Sequence, residues 1–195
     1  MTGAAMWMLV KEDADSDSDG EGAAESAPQL AEIFERCSGR VWRTLRRLGV
    51  RESDVEDVCQ EVFLIVSRKL GTFRGDAALT TWIYGICVRA AADHRRRAHV
   101  RREEPHAEPP EQSAPGEQEE IVARREALRE LDRLLGELDE NRRTVFVLFE
   151  LEGLPMNEVA RVMGCPAQTC YYRLYSARRE LEAKIAELGA KEGAA

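Results

Sequence analysis

The side chains able to act on another molecule fall into a few groups along this sequence of 195 residues. Towards the C-terminal end, Gln168, Thr169, Tyr171, Tyr172, Arg173, Tyr175, Ser176, Arg178 and Arg179 follow one another closely. Their amide, hydroxyl and guanidinium groups suit phosphates and base edges in a major groove. A second group, Arg89, Arg95, Arg96, Arg97, Arg101 and Arg102, is opposed only by Asp93. Phe73, Trp82 and Tyr84 lie upstream of it, and ring faces beside arginines are what unstacked bases and their phosphates require. Phe73 and Trp82 are equally suited to a core, and core packing is the expectation for Trp82. A third group, Asp57, Gln60 and Glu61, makes a short acidic and polar strip.

Catalytic chemistry finds little to use. The three histidines are His94, His99 and His106, and a spacing of five puts the first two on poorly matched helical faces. No catalytic residue, metal or cofactor is expected, and the chain is read as a non-enzyme. Its five cysteines form no CxxC pair and are expected to be thiols in a reducing compartment. Cys165 and Cys170 are the pair to weigh for redox chemistry, but burial as structural thiols is the expectation.

The elements that must position these groups are helical. Leu30, Ile33, Phe34, Cys37, Val41, Leu45 and Leu48 recur at three- and four-residue steps, and Gly49 offers a stop. Ser53-Asp54-Val55-Glu56 reads as a capping box opening a second helix. That helix carries Val55, Val58, Cys59, Val62 and Val66 on one side and Asp57, Gln60 and Glu61 on the other. A polar loop from Phe73 to Ala78 leads to a third helix from about Thr80 to His99, apolar at its start and basic at its end.

Residues 100–117 hold Pro105, Pro109, Pro110 and Pro115 among glutamates, the composition of an extended linker. Four more helices are expected from there to Leu188. The last two, from Leu154 to Cys170 and beyond, form a helix-turn-helix. Val159, Ala160 and Met163 point inward, Gly164 permits the turn, and Pro166 is preset for the next first turn. On the final helix Cys170, Leu174, Ala177 and Leu181 share the buried face. An ordinary helical hairpin with a solvated polar face is the alternative for this pattern alone.

The fold expected is therefore all-α, with two small helical domains joined by an acidic, Pro-rich linker. The boundaries are a disordered acidic tail at 1–27, a first domain at 28–99, the linker at 100–117, a second domain at 118–188 and a tail at 189–195. A formal net charge of −8 would argue against nucleic-acid binding, but its distribution does not. Residues 11–26 contribute −6 and residues 103–120 contribute −7, leaving +5 for everything else. The apolar run from Met6 to Val10 lacks the flanks of a secretory leader. No stretch approaches the roughly 18 apolar residues of a membrane span, so neither membrane insertion nor export is expected.

Taken in order, these motifs resemble the extracytoplasmic-function sigma factors of bacterial RNA polymerase over nearly all of residues 29–185. Asp54-Val55-Glu56-Asp57-Val58-Cys59-Gln60-Glu61-Val62-Phe63 resembles the polymerase-binding helix. The stretch from Phe73-Arg74-Gly75-Asp76 to Thr81-Trp82-Ile83-Tyr84 resembles the loop and helix for the minus-ten element. Gly164 to Arg178 is similar to the helix-turn-helix that reads the minus-thirty-five element. The resemblance implies that Asp57, Gln60 and Glu61 dock on the clamp of the largest subunit of core polymerase.

It further implies that Arg74, Asp76, Trp82, Arg89, Arg95, Arg96 and Arg97 serve the minus-ten element, the loop at residues 74–79 capturing a flipped base. Gln168, Thr169, Tyr171, Tyr172, Arg173, Arg178 and Arg179 would serve the minus-thirty-five element. Promoter DNA, double- and single-stranded, core polymerase and a restraining anti-sigma factor are the implied partners, in the cytoplasm. The acidic linker would thread towards the active-site cleft and the RNA exit path. The acidic N-terminal tail is read as a solvated extension, the alternative being that it shields the basic DNA-binding surface until polymerase is bound. Arg89 stands where the family often has Asn, so a shifted minus-ten preference is expected. Tyr171 and Tyr172 replace a Lys and a Ser, which removes a charge and is expected to weaken upstream binding. A helix-turn-helix regulator that is no polymerase subunit, and an interaction module that has kept this fold, are the competing classes.

Overall fold

The computed structural model of the chain describes residues 30–101 and 119–192. Among the described residues every regular element is helical. The expected N-terminal tail and almost all of the expected linker lie outside them.

Helix α1 (Leu30–Arg47) buries Ile33, Val41 and Leu45, as the spacing predicts. Phe34, placed by spacing in the same stripe, is half exposed and meets Phe63 edge-on at 4.8 Å. Gly49 ends the helix at a φ of 89°, the left-handed region where a side chain is strained. A Cβ there would also run into the Arg143 guanidinium.

Helix α2 (Glu52–Lys69) has no capping box. Arg51 occupies the cap position without a side-chain capping bond, and the Ser53 hydroxyl donates to Asp54 Oδ1 at 2.9 Å. The helix begins before Ser53, so that hydroxyl is already inside the first turn and cannot reach a free amide ahead of it. Val55, Val58, Val62, Phe63 and Val66 turn inward. A 3-10 turn (Leu70–Thr72) and the polar loop lead to α3 (Leu79–Arg101), which packs Ile83, Ile86, Cys87 and Ala91 against the first two helices.

The second unit starts with α4 (Glu119–Gly136) and α5 (Glu140–Phe146). Asp139 caps α5, its Oδ1 accepting from the amides of Asn141 at 3.0 Å and Arg142 at 3.4 Å. A single π turn (Val147–Leu151) follows, closed by the Glu152 amide donating to the Val147 carbonyl at 3.0 Å. The helix-turn-helix is α6 (Met156–Met163) and α7 (Ala167–Glu192), joined at Gly164 with a φ of 62°. Cys170, Leu174, Ala177 and Leu181 are buried as the face predicts. Helix α7 runs past the expected boundary at Leu188, and Pro166 sits just outside it, its carbonyl accepting from the Cys170 amide at 3.2 Å.

The buried residues of the two units form one apolar core. At their seam lies Glu152, whose side chain is only 5% exposed. Its Oε1 takes the Thr44 hydroxyl at 2.9 Å and Arg47 Nη1 at 3.3 Å, while Oε2 takes the Tyr84 hydroxyl at 2.7 Å. A desolvated carboxylate is costly unless paired and fully hydrogen-bonded, and here one cation and two hydroxyls from the first unit meet that need. Arg143 crosses the seam in the other direction. Its Nη1 donates to the Leu48 carbonyl at 3.2 Å and its Nη2 to those of Gly136 and Leu138 at 2.7 and 3.0 Å. Burial, with Arg95 nearby, makes the charged form of Arg143 harder to hold.

Candidate nucleic-acid interfaces

The α2 strip is where the sequence puts it. Asp57 and Gln60 are exposed on the side of α2 away from its buried valines. Glu61 is differently occupied, because Arg97 holds it with two bonds, Nη1 to Oε1 at 3.3 Å and Nη2 to Oε2 at 2.9 Å. That bond and the carboxylate charge hold Arg97 more firmly in its cationic form. Two residues assigned to different partners by resemblance therefore touch each other. Leu64, one turn on from Gln60 and Glu61, is 55% exposed. An apolar residue on the polar face of α2 is the sequence signal that would have found it.

The arginines of α3 divide. Arg96 is well exposed and paired with Asp93 on its own helix. Arg95 instead faces the seam, bonded to the Leu48 carbonyl and 2.6 Å from Glu140 of the second unit. Arg89, Arg96 and Arg97 line a groove between α2 and α3 of about 520 Å³, and Lys69 completes it from the end of α2. Lys69 was missed by the sequence reading, although Arg68 and Lys69 make a basic end of that helix.

The loop at residues 73–78 carries exposed Arg74 and Asp76 around Gly75, whose φ is 74°. Phe73 and Trp82 pack ring against ring at 5.4 Å, and Trp82 also backs on the core. Tyr84 is not a base platform. It is buried, and its phenol is driven strongly upward by desolvation and by the Glu152 carboxylate that accepts its hydrogen bond. Phe73, Arg74, Asp76, Trp82 and Arg89 border a cavity of about 310 Å³ whose remaining wall includes Arg161 and Val162 of α6. Arg161 Nη1 donates to the Asp76 carbonyl at 3.0 Å. No local pattern could have shown that α6 covers this loop.

Helix α7 shows the opposite condition. Gln168, Tyr171, Tyr172, Tyr175, Arg178 and Arg179 are exposed, with Tyr172 at 74%. The Arg179 guanidinium lies 5.9 Å from the centre of the Tyr175 ring, a cation–π contact. Arg178 Nε donates to Glu150 at 2.6 Å. Thr169 and Arg173 are half buried, and Arg173 Nη1 donates to Cys165 Sγ at 3.4 Å. This face offers hydroxyl, amide and guanidinium donors around aromatic rings on one side of a firmly packed helix. No cluster of three or more His, Cys, Asp or Glu able to hold a metal occurs among the described residues. No helix described is long and apolar enough to cross a membrane.

Comparison with known proteins gives these surfaces a context. Residues 33–101 match the family described as Sigma-70 region 2, and residues 128–181 match Sigma-70, region 4. The chain is 31% identical over 151 residues to the RNA polymerase sigma-H factor of Pseudomonas aeruginosa, covering 69% of this chain and 75% of that one. It is 32% identical over 155 residues to the ECF RNA polymerase sigma-E factor of Escherichia coli, covering 71% and 78%. In fold it is similar to the sigma factor RpoE of Bartonella quintana, solved in complex with the anti-sigma factor NepR. There the TM-score is 0.65 and identity 16%, over 81% of this chain and 96% of that one.

Proposed function

Because the chain belongs to the ECF group of sigma-70 RNA polymerase sigma factors and so acts in transcription initiation, we propose that it joins core polymerase through α2 and reads promoter DNA through α3 and α7. Asp57, Gln60 and Glu61 dock on the clamp of the largest subunit, with Leu64 adding an apolar contact at the end of the strip. Arg74, Asp76, Trp82, Arg89, Arg96 and Arg97 serve the minus-ten element. Lys69 joins them across the α2–α3 groove, and Arg95 becomes available only when its seam contacts part. Gln168, Thr169, Tyr171, Tyr172, Arg173, Arg178 and Arg179 serve the minus-thirty-five element from the major groove.

The observation that carries this reading is the arrangement of α7, a helix packed firmly on one side and lined with donors and rings on the other. The process is non-enzymatic. Binding of extruded bases and polymerase contacts offsets the few kcal/mol of unstacking that each base costs. The first unit comprises residues 28–99 and the second residues 118–188, and residues 100–117 act as the tether that makes the two DNA contacts bivalent. An anti-sigma factor restrains the free protein in the cytoplasm.

The test is reconstitution with sigma-free core polymerase on a promoter template. Binding and promoter-specific transcripts are expected, with the triple substitution Asp57→Ala, Gln60→Ala and Glu61→Ala cutting transcripts about tenfold or more, a loss of at least ~1.4 kcal/mol in docking. Absence of core binding with duplex-DNA binding intact would replace this reading with that of a free-standing helix-turn-helix regulator.

A further inference from the structure

The helix-turn-helix holds a thiol pair that promoter reading does not use. Cys165, in the turn, is half buried rather than enclosed, and its Sγ lies 3.4 Å from the Sγ of fully buried Cys170. Arg173, one turn further along α7, donates to the same Cys165 sulfur at 3.4 Å. Cys165 is thus the sulfur open to an oxidant, and the Arg173 guanidinium lies against it. The thiol of Cys87 is different, enclosed in the first unit and driven well upward by its burial.

We propose that Cys165 and Cys170 are a hydroperoxide-oxidisable dithiol, with Cys165 the sulfur attacked first and Cys170 the one that closes the disulfide. The Cys165 thiolate attacks the terminal oxygen of the hydroperoxide. An S–O bond forms, the O–O bond breaks, and the departing oxygen takes a proton and leaves as water or an alcohol. Cys170 then attacks the sulfenic sulfur of Cys165. The S–S bond forms, the S–O bond breaks, and hydroxide leaves as water with the Cys170 proton. The two sulfurs together lose two electrons, the peroxide gains them, and a cellular dithiol reverses the change.

The division of labour follows from the surroundings. Desolvation and the hydrogen bond with Cys165 push the Cys170 thiol up to about 11, against the pull of Arg173, so Cys170 stays protonated until its partner is oxidised. Closing the bond brings the sulfurs from 3.4 Å to about 2.05 Å. Cys170 must leave its place in the α6–α7 core, or the turn must follow it, and Gly164 in its left-handed conformation is the adjacent pivot. Arg173 loses its sulfur acceptor in either case. If α7 reads the minus-thirty-five element, as proposed above, oxidation misplaces Arg173 and weakens duplex binding.

The full chain is treated with hydrogen peroxide, and intact mass, peptide mapping and duplex-promoter binding are followed. The expected product has lost two hydrogens, carries a Cys165–Cys170 disulfide, regains its mass with dithiothreitol, and binds duplex DNA about tenfold more weakly, the equivalent of ~1.4 kcal/mol. Cys165→Ser, at a half-exposed position, should abolish both changes. Cys170→Ala, or Cys170→Ser should the alanine fail to fold, should leave a sulfenic acid on Cys165 that dimedone traps.

Oxidation appearing first at Cys37, Cys59 or Cys87, or no disulfide at all, would overturn the dithiol. A disulfide that leaves duplex binding unchanged would confirm the modification site and overturn its effect on Arg173. A disulfide in a protein that binds no duplex DNA in either state would sink the promoter reading of α7 while leaving the dithiol standing.

Discussion

Helix α7 presents Tyr171, Tyr172 and Tyr175 to solvent, whereas the loop at residues 73–78 shares its cavity with Arg161 and Val162 of the other unit. Both surfaces combine aromatic rings with arginines, so composition does not separate them. What separates them is the seam. Glu152 is fixed by Thr44, Arg47 and Tyr84, and that contact holds α6 where it covers the loop and leaves α7 facing outward. Access to one of the two proposed DNA surfaces is thus set by contacts that touch neither.

The strongest way to break the contrast is to remove the carboxylate at its centre. Glu152→Ala leaves Arg47 buried without its anion and Tyr84 without its acceptor, and breaking such a pair costs about 3–5 kcal/mol. A lower denaturation midpoint and a larger radius of gyration by small-angle scattering are expected, with faster hydrogen exchange in the loop at residues 73–78. An unchanged radius would mean that apolar packing alone holds the units together.

A smaller change sharpens the contrast from the open side. Tyr171→Lys with Tyr172→Ser restores a cation on the exposed face of α7, which should tighten duplex binding and steepen its dependence on log salt by about 0.9. Single-strand binding at the covered loop should not move. Salt titrations on both kinds of DNA make the test, and an unaltered duplex slope would remove α7 from phosphate contact.

The smallest expected effect concerns protons at the seam. Asp132 lies 3.7 Å from Arg46, yet burial outweighs that attraction and raises its carboxyl from the usual 3.8 to about 6. A raised folded-state value means that the native chain keeps a proton that the unfolded chain has released. Stability from this group is therefore fully present below about pH 4 and is lost as pH rises through about 6. Asp132→Asn should flatten stability over that window and raise it at pH 7, since Arg46 keeps Glu52 at 3.0 Å. Denaturation midpoints at pH 4.5 and pH 7 decide it, and a wild-type midpoint that rises with pH would reverse the assignment.

Much of this was legible in the residues. The inward faces of α2 and α7 and the solvent-facing polar residues of α7 follow from a repeat of 3.6 residues, and the left-handed turn at Gly164 from glycine's freedom at positive φ, both local properties. The misreadings share a different cause. Ser53 fitted a capping pattern, but the helix began earlier; Tyr84 fitted a stacking role, but its hydroxyl had a carboxylate to meet. Cys165 fitted a buried thiol, but the turn left it half open.

By itself, then, the order of residues determined that the chain is helical, which side of each helix is apolar, and which motifs follow one another. It did not determine that Thr44 meets Glu152 across 108 positions, that Arg47 does so across 105, or that Arg161 reaches Asp76 across 85. A helix fixes neighbours three and four residues apart through its own backbone bonds, whatever surrounds it. A buried carboxylate finds its donors only once the helices that carry them have packed, and only the tertiary structure decides which they are.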